Sequence, residues 1–172
     1  MDKIAGIILT GGQSSRMGRN KSLLIFQGLP MVEHMRKILV NSGIQNTYIS
    51  GTLEGYETIP DGEPLSGPGR AMAHLLQKFS ARYERLLFIP VDMPFMSAEL
   101  VRRLISKAGN VFIKDHPFPN CLLTRTDLLA ANSVRGVLEE VSATALEIPG
   151  GREKDFLNLN TPEEWEKANS AG

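Results

Sequence analysis

The sequence predicts an α/β domain in which a mostly parallel sheet is covered by helices on both faces. Three observations point there. The apolar runs "KIAGIIL" (3–9) and "RLLFIPV" (85–91) do not alternate with polar residues, so they read as strands buried on both faces. Amphipathic stretches at helical spacing separate the apolar runs, so strands and helices alternate along the chain. Finally, the first strand stops abruptly in a glycine loop carrying Arg16, Arg19 and Lys21, and in such sheets ligands sit at the carboxyl ends of the strands.

The elements follow in order. After the first strand, "PMVEHMRKILVNSG" predicts a helix: Pro30 suits its first turn, Val32, Met35, Ile38 and Leu39 share a face, and Gly43 ends it. "NTYISG" is a second strand. "GRAMAHLLQKFSARY" is a second helix, with Met72, Leu75, Leu76 and Phe79 on one face. "RLLFIPV" is the central strand, and Ser97 caps the helix "AELVRRLISKAG" behind it. "NVFIK" and "NCLLTR" are strands split by "DHPFP", whose two prolines demand a turn or a sheet edge. "DLLAANSVRGVLEEV" reads as helical with a break between Asn132 and Gly136, and "TALEI" and "DFLNL" read as late strands. "TPEEWEKA" is a closing helix with a capping box: Thr161 at the cap, Pro162 first in the helix, Glu164 three residues after the cap.

Composition narrows the class. At 172 residues, with no linker, repeat or low-complexity tract, the chain reads as one domain over 1–172. A chain of this length buries ~70% of the surface its unfolded form exposes. Nineteen basic and 19 acidic side chains give a formal net charge of zero, so bulk charge supports neither nucleic-acid nor membrane binding. Cys121 is the sole cysteine, which excludes an intramolecular disulfide and a cysteine metal cluster and reads as a small buried residue. No stretch approaches the ~20 apolar residues of a membrane span, and the N-terminus lacks a signal-peptide pattern. A cytoplasmic enzyme or binding protein is the expectation.

Three stretches carry chemistry. "LTGGQSSRMGRNKS" (9–22) fails both common phosphate loops: five residues lie between Gly12 and Gly18, Arg19-Asn20 precedes Lys21-Ser22, and Gly11-Gly12 is adjacent rather than spaced. What it shares with them is physical. Adjacent glycines let backbone N–H groups approach an anion, Arg16 can fork onto phosphate oxygens, and Lys21 is a compact charge. On residue types alone, an anion-binding loop and a solvated glycine turn both fit. In "FIPVDMPFM", Asp92 follows the central strand between two prolines, where it suits either a Mg²⁺ ligand or a turn cap. "PDGEPLSGPGRAMAH" opens with Asp61 and is either a special loop at a helix N-terminus or a long surface loop. His34, His74 and His116 have no metal-ligand spacing to one another and read as structural or surface residues.

Taken in order, L-T-G-G-x-S-x-R-M-G-x-x-K (9–21), P-L-S-G (64–67), P-V-D-M-P-F (90–95) and F-L-N-L-N-T-P-E-E (156–164) resemble the nucleotidylyltransferases of molybdenum-cofactor biosynthesis, nearly end to end. The resemblance implies a Rossmann-like three-layer α/β sandwich. It implies transfer of GMP from GTP to molybdopterin, with Mg²⁺ as cofactor and with molybdoenzymes or other proteins of the cofactor pathway as partners. By the same resemblance, Leu9, Thr10, Gly11 and Gly12 cradle the nucleotide, Arg16 and Lys21 meet its phosphates, and Asp61 is a further nucleotide contact. Asp92 is implied as the metal ligand, and Asn158 and Asn160 as the acceptor side; Arg16, Lys21 and Asp92 form the catalytic set. Thr10 stands where the family usually has Ala, Asn20 where it often has Asp, and Glu63 where Gly is usual. Alternatives of the same chemistry are a cytidylyltransferase and a sugar-phosphate nucleotidylyltransferase. The alternative of another class is a nucleotide- or molybdopterin-binding relative that turns over weakly.

Overall fold

Two periodicities set the core. Along the strands, successive apolar side chains point to opposite faces. In the computed structural model, which describes residues 2–10, 20–60 and 67–170, Ile7 and Ile8 on β1 (Asp2–Leu9) enter different cores. The same holds for Leu86 and Phe88 against Leu87 and Ile89 on β5 (Tyr83–Pro90). Non-alternating strand sequences are therefore what a sheet between two helical layers requires. One layer is α1 (Met31–Asn41), α3 (Ala98–Ile105) and α5 (Pro162–Ser170). The other is α2 (Gly67–Lys78) and α4 (Val134–Glu140).

With β4 (Thr47–Ser50), β6 (Val111–Ile113), β7 (His116–Leu123) and β8 (Thr144–Leu146), the six-stranded sheet has the order β4-β1-β5-β7-β6-β8. Only β7 runs against the rest: β1 pairs in parallel with β4 and β5, and β6 with β8. A small hairpin, β2 (Ile25–Phe26) with β3 (Leu29–Pro30), stands apart from the sheet. Its two-residue turn has positive φ at both Gln27 (48°) and Gly28 (82°), the backbone a tight hairpin demands.

The predicted three-layer class agrees with this architecture, and several boundaries differ from the sequence reading. The turn expected in "DHPFP" falls at Lys114–Asp115, where Asp115 has φ 66°, but the prolines themselves lie beyond it. Pro117 and Pro119 lie inside β7, which is flanked by β5 and β6. Their missing N–H groups do no harm because the ladder is irregular there. Asn120 pairs with Phe112 while His116 pairs with Ile113, so 117–119 bulge out of register, and the β5 ladder covers only 120–123. The helix read over 127–141 begins only at Val134, where the Ser133 side chain accepts the Gly136 N–H at 3.0 Å. "DFLNL" is not a strand: a short 3₁₀ turn, Glu153–Phe156, leads into extended chain that joins no sheet.

Ser97 caps α3 as predicted, accepting from Leu100 N–H at 3.2 Å. The closing capping box is also present. Glu164 Oε2 accepts from Asn160 N–H and Thr161 N–H at 2.7 and 3.1 Å, and Thr161 Oγ1 accepts from Glu164 N–H at 3.2 Å. Cys121 is fully buried, and burial pushes its thiol up to about 11, so it is no nucleophile at neutral pH.

The start of α2 is pressed against the chain leading into α4. Gly69 N–H donates to Asn132 O at 3.1 Å, and a Cβ on Gly69 would lie 2.5 Å from Asn132 C and 2.6 Å from Ser133 C. Both obstacles are backbone, so neither can rotate away. Gly69→Ala is expected to lower stability by about 1–3 kcal/mol in urea unfolding. An unchanged midpoint would show that the two helices do not meet as described.

Candidate functional site

Three stretches of chain converge at the carboxyl ends of β1, β4 and β5. Leu9 pairs with Ser50 on one side and Pro90 on the other, and Leu9 O accepts from Val91 N–H at 3.1 Å. Thr10 directs both its N–H and its hydroxyl at Ser50 O, at 3.0 and 2.7 Å. Its side chain therefore secures the strand end rather than reaching outward. Asp92 lies two residues past β5, in the turn that leads to α3. The first residues of the glycine loop and the carboxylate thus emerge side by side because their strands are adjacent.

Lys21 arrives from the other end of that loop. It opens a short 3₁₀ helix, Lys21–Leu23, whose cap is Asn20: the Asn20 side-chain oxygen accepts Ser22 N–H at 3.0 Å. Capping explains why an amide serves at this position, since only an acceptor oxygen is needed. The hairpin that follows anchors the helix through Phe26, which is 1% exposed. Its ring meets His34 on α1, Phe95 beyond Asp92 and Trp165 on α5 edge-on, at centroid distances of 4.9, 5.6 and 5.9 Å. His34 accordingly has a structural place, with Nε2 2.7 Å from Pro94 O.

The outcome is a three-membered cluster. Lys21 Nζ donates to Asn160 Oδ1 at 2.9 Å and lies 3.6 Å from Asp92 Oδ2. The Lys21 and Asp92 side chains are 19% and 25% exposed, which leaves both within reach of a ligand from solvent. Leu159 N–H, one residue before Asn160, donates to Asp92 O at 3.0 Å. Lys21, Asp92 and Asn160 are brought together from far apart in sequence. Asn158 is exposed and makes no hydrogen bond to Lys21 or Asp92. Gly11, Gly12, Arg16 and Asp61 lie outside the described residues.

The described donors bear on what cation the site could hold. Among the described residues there is no group of three or more His, Cys, Asp or Glu side chains that could cage an ion. A single accessible carboxylate beside a cation fits Mg²⁺, which binds through one or two carboxylates and fills its shell with substrate phosphates and water.

Sequence reasoning missed the residues that fasten the chain ahead of Asn160 to the start of α3. Asp155, 7% exposed, accepts from Ser97 N–H and Oγ at 3.0 and 3.2 Å. Arg152 Nη1 donates to Ser97 Oγ at 2.9 Å and lies 3.5 Å from Asp155 Oδ2, and Nη2 pairs with Glu99. Nothing in "GREKDF" separates these charges from a solvated turn. No helix among the described residues is long and apolar enough to cross a membrane.

Comparison with known proteins places the chain in a family. The chain is 32% identical to a molybdenum cofactor guanylyltransferase of Xanthomonas euvesicatoria, over 94% of this chain and 92% of that protein. It is also 32% identical to one of Rhodobacter capsulatus, over 96% of this chain and 95% of that protein. The crystal structure of molybdopterin-guanine dinucleotide biosynthesis protein A from Archaeoglobus fulgidus shares the fold, with a TM-score of 0.71 at 20% identity over 97% of each chain. Residues 6–145 match the model of the MobA-like NTP transferase domain, and the chain belongs to that family.

Proposed function

We propose that this protein transfers GMP from GTP to the terminal phosphate of molybdopterin and releases pyrophosphate. The observation that carries the reading is the Lys21 ammonium poised between Asn160 Oδ1 and Asp92 Oδ2 near the carboxyl end of β5. The two relatives bearing that activity in their names support the choice of nucleotide and acceptor, since they align along almost the whole chain.

The reaction is a single in-line displacement. An oxygen of the molybdopterin phosphate bonds to the α-phosphorus of GTP, the bond from that phosphorus to the β-phosphate bridging oxygen breaks, and pyrophosphate leaves with the electron pair. No covalent enzyme intermediate is required. The protein's contribution is to position the two substrates and to stabilise negative charge developing on the phosphates. In this reading the backbone amides of Gly11 and Gly12, with Arg16, hold the departing pyrophosphate, while Leu9, Thr10 and Asp61 border the nucleotide. Lys21 faces the transferred group, Asp92 holds the divalent cation, which we take to be Mg²⁺, and Asn158 and Asn160 face the acceptor. The cation, when bound, neutralises phosphate charge.

The Lys21–Asp92 pair fits a substrate site better than a structural role. Partly exposed ion pairs typically contribute about 0.2–1 kcal/mol, so this one does little for stability. A cation taken up by Asp92 would free the ammonium for phosphate while Asn160 still holds it. Lys21 is thus arranged to change partners.

Two measurements test the proposal. With Mg²⁺, molybdopterin and each nucleoside triphosphate in turn, pyrophosphate release and a guanine dinucleotide product are expected with GTP. Product from CTP instead would overturn the base assignment, and release with no nucleotide would overturn the reaction. The Asp92→Ala protein is expected to keep its fold by circular dichroism and lose ~10²–10³ in turnover; undiminished turnover would remove Asp92 from the site.

A further inference from the structure

The cluster at Lys21 depends on a segment that has no partner in the sheet. After β8, at the sheet edge beyond β6, the chain must return to the carboxyl end of β5 before α5 begins. It does so as a strap, residues 152–160, laid alongside the turn between Asp92 and Ser97 and running opposite to it. Two hydrogen-bonded links join strap and turn, and the Lys154 ammonium also lies over the Phe95 ring, 4.6 Å from its centroid. At the near end Leu159 N–H donates to Asp92 O at 3.0 Å. At the far end the buried Asp155 carboxylate takes both Ser97 N–H and Ser97 Oγ, with Arg152 bridging to Ser97 and Glu99.

The far link is the stronger one. A carboxylate accepting a backbone N–H at a helix N-terminus makes a charge-assisted bond and also meets the positive end of the α3 dipole. Between the two links, Phe156 and Leu159 are buried, and the His116 ring stacks on Phe156 at a centroid distance of 3.9 Å and an interplanar angle of 13°. Leu157 and Asn158 face solvent. The strap therefore has one buried charged fastening, at Asp155, and one functional end, at Asn160.

We infer that Asp155 is a positioning residue for the transfer step: by fastening the strap to Ser97 it sets the spacing of Asn160, Lys21 and Asp92. This inference rests on the proposed function only for its kinetic consequence; the mechanical link stands on the hydrogen bonds alone. Loss of the fastening lets the strap slide along the Asp92 turn. A displacement of about 1 Å in a reacting constellation costs about 10²-fold in rate.

The test uses the full chain with Asp155→Ala, and Asp155→Asn as a second variant that keeps one acceptor oxygen for Ser97 N–H. In Asp155→Ala, amide hydrogen exchange is expected to accelerate selectively in the peptide containing Leu159, with the β1 and β5 amides still protected. Turnover with Mg²⁺, GTP and molybdopterin is expected to fall ten- to a hundred-fold with the KM for GTP within twofold, and Asp155→Asn is expected to restore most of it. Uniform loss of protection across the sheet, or a rise in KM without loss of kcat, would overturn the positioning role. Unchanged exchange at Leu159 would overturn it as well. If Asp155→Ala does not fold, Asp155→Asn carries the same test: modestly faster exchange confined to the strap supports the role, and exchange identical to the parent chain contradicts it. Should the parent chain release no pyrophosphate under any condition, the reaction reading fails while the exchange result still decides the fastening.

Discussion

One ammonium group ties together pieces of chain that are remote in sequence. Lys21 meets Asn160 and Asp92, and each partner is delivered by a different part of the fold. A lysine side chain is long and loses considerable rotamer freedom when fixed, and a partly exposed ion pair returns little of that loss. The arrangement persists because its supports are strong even though the pair is weak. Phe26 packs the Lys21 segment against α1 and α5, the parallel β1–β5 pairing fixes the Asp92 turn, and the Glu164 carboxylate caps the backbone at Asn160.

The sheet order explains why the site lies where it does. In a doubly covered parallel sheet, loops from neighbouring strands open at the same end, and β1 lies between β4 and β5. At Leu9 and Thr10 the chain therefore leaves the sheet beside Ser50 and the turn that carries Asp92. The single antiparallel strand, β7, lengthens the sheet on the far side of β5 without placing another crossover over the site. The cost falls on the last part of the chain, which must come back from the β8 edge as an irregular strap. Fastening that strap with Asp155 and Arg152 meets the need that sheet pairing would otherwise meet.

Much of this was legible in the sequence, for identifiable reasons. Strands buried on both faces leave a continuous apolar signature, and β1 and β5 carried it clearly. Caps leave a side-chain signature, and Ser97 and the Thr161–Glu164 box were readable as such. The hairpin at 25–30 went unread because two-residue strands are shorter than any periodicity. The prolines of β7 misled because propensity knows nothing of a bulge, and a bulge is set by the neighbouring strand. At the site, Lys21 was legible as a charge in the loop after β1 and Asp92 as one just past β5. Their meeting with Asn160 was legible only as a family resemblance, because tertiary convergence has no local signal. Asp155 had none at all.

The central claim is that Lys21 exchanges Asp92 for a phosphate while Asn160 continues to hold it. A crystal structure of the protein with GTP and Mg²⁺ tests it most directly. The account predicts the Lys21 ammonium within hydrogen-bond distance of both Asn160 Oδ1 and a GTP phosphate oxygen, with Asp92 on the metal. A structure in which Lys21 stays paired with Asp92 while the triphosphate binds away from both would contradict it.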